Sequence, residues 1–223
     1  METGMRHWSL TIVLVATLMT GWASADGGTS DPAASASGDG KLRHGFSQAQ
    51  LQRLLRTKIE TLIELAGNPA IVRAVREQNA RPQSPARIRA IDEEWTRTDE
   101  LTPFKRAMQE NEVGRYFQSL IDFNDSIYNE AFLTDSNGAN VAAYPVTSDY
   151  WQGDEEKWIA AYNDGQGAIF VSDVAFDEST RTPAIQISVP VMDEGRAIGV
   201  LIVGVKLTYV QARYLTLERH GAP

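Results

Sequence analysis

The chain contains no cysteine. That excludes disulfides, Cys-ligated zinc, iron–sulfur clusters and a thiol nucleophile. Histidine is almost as scarce, and His7, His44 and His220 all lie near the two ends. A His-based metal centre or a Ser–His–Asp arrangement therefore has nothing to be built from in the interior of the sequence. No G-x-x-x-x-G-K-[ST] phosphate loop is present. Asp135-Ser136-Asn137-Gly138 opens like a calcium loop, but its twelfth position is Val146 where an EF-hand needs an acid, so a turn explains it better. An excess of positive charge is also lacking: 21 Lys+Arg against 29 Asp+Glu give a formal net charge of −8. That balance argues against non-specific binding to nucleic acid or to an anionic membrane surface. The sequence thus reads as non-enzymatic, with no cofactor and no metal site.

What is present is an ordinary globular composition: 223 residues, 43% hydrophobic and 22% charged. The length suits one domain with tails, and such a chain buries roughly 70% of its unfolded surface without covalent staples.

The N-terminus reads as an address. Arg6 precedes an apolar stretch from Leu10 to Met19, and Ala23-Ser24-Ala25 fits the small-x-small rule for signal peptidase. Residues 1–25 are read as a signal peptide cut near Ala25, which places the mature protein in the periplasm or outside the cell. The alternative is an uncleaved anchor over residues 8–25, which carry no charge. Residues 26–45 read as a flexible linker, since Asp26 to Gly40 holds only Gly, Ser, Thr, Ala, Asp and Pro.

Residues 46–125 read as a helical region. Ser47 with Gln50 forms a capping box, and Leu51, Leu54, Leu55, Ile59, Leu62 and Ile63 follow as one stripe. Asn68-Pro69, Ser84-Pro85 and Thr102-Pro103 each place a cap before a Pro at the first helical position, and Asn111 caps a fifth helix. The stripe packs on the chain's own sheet or pairs with a second copy.

After residue 126 the period shortens. Strands are expected at 127–134, 140–144, 167–172, 182–192 and 197–205, with an Asn-Gly hairpin at 135–138, a helix ending at Tyr162 and a last helix from Leu207. The reading is an α+β fold: a five-stranded antiparallel sheet with N-terminal helices packed on it.

Particular residues of this second half carry a resemblance. Phe132-Leu133-Thr134-Asp135-Ser136-Asn137-Gly138 resembles the strand, Asp-x-x-Gly, strand opening of Cache domains, also called PDC sensor domains. Ser148 to Glu155 with Trp158 is similar to the loop and helix that close the ligand pocket in that family. Phe170-Val171-Ser172-Asp173 resembles its third strand, and Ile187-Ser188-Val189-Pro190-Val191 with Gly199-Val200-Leu201 its last hairpin. The resemblance covers about residues 112 to 210. It implies a PAS-like extracytoplasmic fold over 126–216 that binds small metabolites, free-standing here where most members sit on membrane receptors or kinases.

The resemblance implies Tyr144, Tyr150, Trp151, Asp154, Trp158, Phe170 and Asp173 as ligand-binding candidates. Large aromatics on a loop want something to bury against, and a pocket wall is one such place. For Trp158 and Phe170, on regular elements, core packing weighs equally. Asp173 reads either as the contact for a ligand ammonium or as a strand-end cap, and Asp149 and Asp154 either as pocket residues or as helix caps. Amino-acid-binding relatives place an Arg two residues before the helix Trp, whereas Glu156 stands here. Arg181, Arg196 and Lys157 read as surface positions. The expected ligand is an amine, an amino acid or an organic acid, and the expected partner is a membrane-bound sensor kinase or chemoreceptor, with a homodimer through the N-terminal helices also open. The rival is an envelope interaction protein with the same fold and no functional pocket.

Overall fold

In a computed structural model, residues 45–177 and 179–219 are described. The expected signal peptide and residues 26–44 of the expected linker lie outside them. Five helices come first: α1 (Gln48–Ala66), α2 (Pro69–Asn79), α3 (Pro85–Thr96), α4 (Pro103–Glu110) and α5 (Glu112–Phe123). Each starts where a side-chain oxygen accepts an otherwise orphaned backbone N–H. Asn68 accepts from Ala70, Ser84 from Arg87, Thr102 from Lys105 and Asn111 from Gly114. At α1 the box is reciprocal, with the Gln50 side chain accepting the Ser47 N–H at 2.8 Å. Replacing Ser47 with Ala should cost about 1 kcal/mol. The thermal midpoint should then fall by roughly 2–4 °C, which a melt of the two proteins side by side would show.

The sheet follows. It contains β1 (Tyr128–Thr134), β2 (Asn140–Tyr144), β3 (Phe170–Val171), β4 (Ala175–Asp177), β5 (Thr182–Asp193) and β6 (Arg196–Lys206), with α6 (Glu156–Tyr162) between β2 and β3 and α7 (Leu207–Arg219) at the end. The order is β2-β1-β6-β5-β3, with β4 also paired to β5, and every pairing is antiparallel.

The sheet has one strand more than expected, and its third strand is shorter. Ala175–Asp177 is too short to show a period of two, yet it pairs with Thr182–Ala184 across a turn. Gly167 and Ala168 do not join the ladder, because their N–H groups donate to the Tyr162 and Ala161 carbonyls at the end of α6. The Asn-Gly hairpin forms as expected. Gly138 takes φ +80°, and a Cβ there would collide with the Gly153 backbone.

Each sheet face buries a different layer. On one face Leu133, Ile187, Leu201 and Val203 meet Leu51, Leu55, Leu62, Val75 and Phe117 of the helices in one core. The α1 stripe thus packs on its own sheet. On the other face Phe132, Ala143, Val200 and Ile202 lie under α6, against Trp158, Tyr162 and Phe170. A third cluster joins Ile88, Ile91 and Trp95 of α3 to Ala139 and Tyr150. Among the described residues no helix is long and apolar enough to cross a membrane.

Candidate functional site

The strand β1 does not run evenly past β6. Tyr128 pairs with Val205 but Glu130 pairs with Gly204, so one residue is inserted. Such a bulge re-aims side chains. Here Asn129 and Glu130 both lie over Gly204, where an added Cβ would collide with Asn129 Oδ1 and come within 2.8 Å of Glu130 Cγ. A polar pair thus enters the layer that holds Phe132 and Ile202. Asn129 is 6% and Glu130 3% exposed.

A continuous network receives them. Asn129 Nδ2 donates to Asp177 Oδ2 at 2.6 Å and to Thr180 Oγ1 at 2.7 Å. Ser179 Oγ lies 2.7 Å from Asp177 Oδ1 and 3.2 Å from Glu130 Oε2. Gln186 Nε2, from β5, donates to Glu130 Oε1 at 2.7 Å. Burial, and next the nearby Asp177 carboxylate, push the Glu130 carboxyl up to about 7; the Gln186 and Ser179 contacts and the Lys157 ammonium pull the other way.

The helix α6 covers this network from above. Its N-cap, Glu155, makes no side-chain capping bond. The Glu155 carboxylate instead pairs with Lys157 Nζ at 2.7 Å. Lys157 is not a surface residue as its position in the sequence suggests. Its side chain is 14% exposed, with Nζ 5.4 Å from the Phe132 ring centroid. Asp149 lies nearby, its carboxyl pushed up to about 6 by burial first and by Glu155 second.

Between these walls lies a cavity of about 240 Å³, lined by Ser148, Glu155, Lys157, Ser172, Ala175, Phe176, Asp177, Ala184 and Gln186. At about 30 Å³ per water, that is space for on the order of eight non-hydrogen atoms. Phe176 stands at the rim, 56% exposed. A larger cleft of about 390 Å³ runs between α2 and α5, but the Arg73–Glu112 ion pair at 2.8 Å joins two of its lining residues and both are exposed.

The structure does not bring the seven candidate residues of the sequence together. Trp158, on α6, and Phe170, on β3, pack against the cluster of Phe132 and Ile202, and Trp158 stacks on Tyr162 with centroids 4.6 Å apart. Tyr144 packs on the opposite face of the sheet. Tyr150, 1% exposed, sits against α3 and α4, its ring 5.8 Å from Trp95 and 5.6 Å from Phe104. Its backbone N–H and that of Trp151 both donate to Asp92 of α3, at 2.8 and 3.0 Å. The Trp151 indole donates to the Asn137 carbonyl at 2.8 Å. Asp154 is exposed and makes no cap for α6. Asp173 is exposed and accepts from Gln48 of α1, tying the sheet edge to the first helix.

The residues that do converge, Glu130, Lys157, Asp177 and Gln186, were not among the candidates. One signal pointed to the first of them: Glu130 is the only acid in the run Tyr128-Asn129-Glu130-Ala131-Phe132-Leu133. An ionisable group in a strand buried along its whole length needs a reason.

No protein-family model matches the chain, and no curated protein matches it. Solved structures do resemble it. One is the sensory domain of the Campylobacter jejuni chemoreceptor Tlp3 with isoleucine bound, at 17% identity and TM-score 0.37, covering 76% of this chain and 67% of that one. Another is the sensor domain of the V. cholerae histidine kinase DctB, at 14% identity and TM-score 0.36, covering 75% of this chain and 57% of that one. A third is the ligand binding domain of the Pseudomonas aeruginosa amino acid chemoreceptor PctB in complex with L-Arg, at 18% identity and TM-score 0.38, covering 74% and 54%. The chain spans just over half of the lengths of the last two. These are likenesses of fold at low identity, and the site rests on the chain's own residues.

Proposed function

We propose that this chain is an exported, non-catalytic ligand-binding module of the Cache type. It takes a small metabolite into the cavity under α6 and presents the bound state to a membrane receptor or kinase. The observation that carries this reading is the cavity itself. Charged and polar side chains from α6, β4, β5 and the loop before α6 converge on a space of about 240 Å³ beside the apolar cluster of Phe132 and Ile202. Apolar walls with a few placed polar groups are what a small-molecule site needs. Only the burial of Tyr150 against α3 favours the rival without a pocket, because that aromatic fills a core.

The test is a thermal-shift screen against amino acids, amines, organic acids, purines and sugars. A ligand at 100 times its dissociation constant adds about 2.7 kcal/mol, or roughly 5–10 °C for a chain of this size. Ala175 lines the cavity from the exposed strand β4. Ala175→Trp should therefore close the cavity, removing the shift while leaving a cooperative melt. A shift that survives this substitution places the ligand elsewhere, and a screen without any shift overturns the reading.

A further inference from the structure

We infer that this chain pairs with a second copy of itself through α5. The two helices run antiparallel about a twofold axis near Ser119, and Phe123 of each copy seats in a groove of the other. This pairing stands whether or not the cavity under α6 takes a ligand. The buried stripe of α1 packs on its own sheet and is not free for a partner. On α5 the inward face is Val113, Phe117 and Ile121. Spacings of three and four residues set Glu112, Tyr116, Ser119 and Phe123 along a different flank. There Tyr116 is 46% and Phe123 89% exposed.

A lone exposed ring is ordinary on a protein surface, and what marks this one is a hole on the same flank. A groove of about 290 Å³ opens there, framed on α5 by Glu112, Arg115, Tyr116 and Ser119 and lined also by Leu65 and Ile71. Those four α5 positions, i, i+3, i+4 and i+7, are the set that makes a hole for a knob from a facing helix. Phe123 cannot fill the hole of its own helix, since it lies a further turn along the same flank. A second α5 laid antiparallel brings its Phe123 over the hole, and the twofold repeats the contact in the other direction. Ser119 is small and lets the helices approach closely near the axis.

The charges on α5 choose the same direction and register. With Phe123 over the hole, Arg115 falls opposite the partner's Asp122, and Asp122 opposite the partner's Arg115. Both are exposed, and neither makes an ion pair among the described residues. A parallel pair would instead gather Asp122 and Asp125 of both copies at one end, where like charges repel. Exposed ion pairs add little strength, so they set the direction while the seated ring carries the affinity. A second copy is therefore the occupant that answers both the hole and the charges: it supplies the knob, the acid and the base from the one helix.

The experiment is sedimentation velocity of the full chain from about 1 to about 500 µM, the range for a small interface. The dimer fraction should rise with concentration. Phe123→Ser, at an exposed position, should leave the thermal melt unchanged and raise the dissociation constant at least about tenfold. Arg115→Asp should weaken pairing by setting acid against acid. Arg115→Asp combined with Asp122→Arg should restore it, because each reversed charge again meets its opposite. A chain that stays monomeric throughout overturns the inference, and cover of this flank from elsewhere in the chain or by a different protein would show itself in that way. A dimer that Phe123→Ser leaves intact overturns it too. A double reversal that pairs no better than Arg115→Asp overturns the antiparallel register, and the proposal with it.

Discussion

Replacing Tyr150 with alanine is expected to cost the fold about 3–5 kcal/mol, the range for removing a fully buried aromatic. The ring touches two others, Trp95 and Phe104, and its hydroxyl accepts from Gln83 Nε2 at 3.1 Å. Deleting it opens a cavity between α3, α4 and the loop before α6, and leaves the Gln83 amide without that acceptor. The thermal midpoint should drop by roughly 6–20 °C. Asp173→Ala is the contrast. Among the described residues its exposed carboxylate accepts only from Gln48, and removing it should change stability by less than about 0.5 kcal/mol. Urea melts of the three proteins decide the matter. If Tyr150→Ala melts like the parent, the ring is not part of the core and belongs to a ligand surface instead.

The second large effect lies in the pH dependence of the unliganded protein. Glu130 titrates at about 7 in the fold against 4.5 in the free side chain. Folding therefore raises its pKa, so its contribution is fully present below about 4.5 and is lost as the pH climbs through 7. With 1.36 kcal/mol per pKa unit, the loss between pH 5 and pH 8 is on the order of 3 kcal/mol. Asp149 is shifted in the same direction and adds to the trend at somewhat lower pH. The protein should thus be more stable at pH 5 than at pH 8. Glu130→Gln cannot ionise and keeps an oxygen for Gln186. It should match the parent near pH 5, exceed it at pH 8, and leave only the shallower slope due to Asp149. Urea unfolding at both pH values, with unchanged m-values, tests this. An equal slope in parent and variant would mean that Glu130 is ionised and solvated in the folded state.

The helical half was legible because its signals are local. Asn68-Pro69, Ser84-Pro85 and Thr102-Pro103 each bind a side-chain oxygen to a backbone N–H no more than three residues away. Nothing distant is needed to make those starts. The long strands were legible for the same reason, since each carries its own apolar run between turn residues. The site was not, because its parts lie far apart in the chain. Tyr150 reads in the sequence as a pocket aromatic, whereas what it buries against is set by Asp92 and Trp95, more than fifty residues earlier. Lys157 sits on a helix of seven residues, too short to show which face turns inward. Asn129 joins Glu130 in the α6 layer only because of a bulge, and a one-residue insertion in register cannot be read from the sequence of one strand.

The two margins of the sheet have a consequence for how this protein meets others. At the β2 margin the main-chain groups at the start of the strand are already engaged. The Asn140 N–H donates to the Tyr150 carbonyl, the Asn140 carbonyl accepts from Gln78, and the Val141 carbonyl accepts from Asn111. At the far margin β3 and β4 hold two and three residues and are parted by Ser172, Asp173 and Val174, so the rim is interrupted. A foreign strand needs an unbroken row of free N–H and C=O groups to zip onto; the far margin is interrupted, and the row along β2 is shortened at its start. Both features work against strand addition at the sheet margins. Contact with another protein then falls mainly to side chains on helices and loops, where specificity can be written residue by residue.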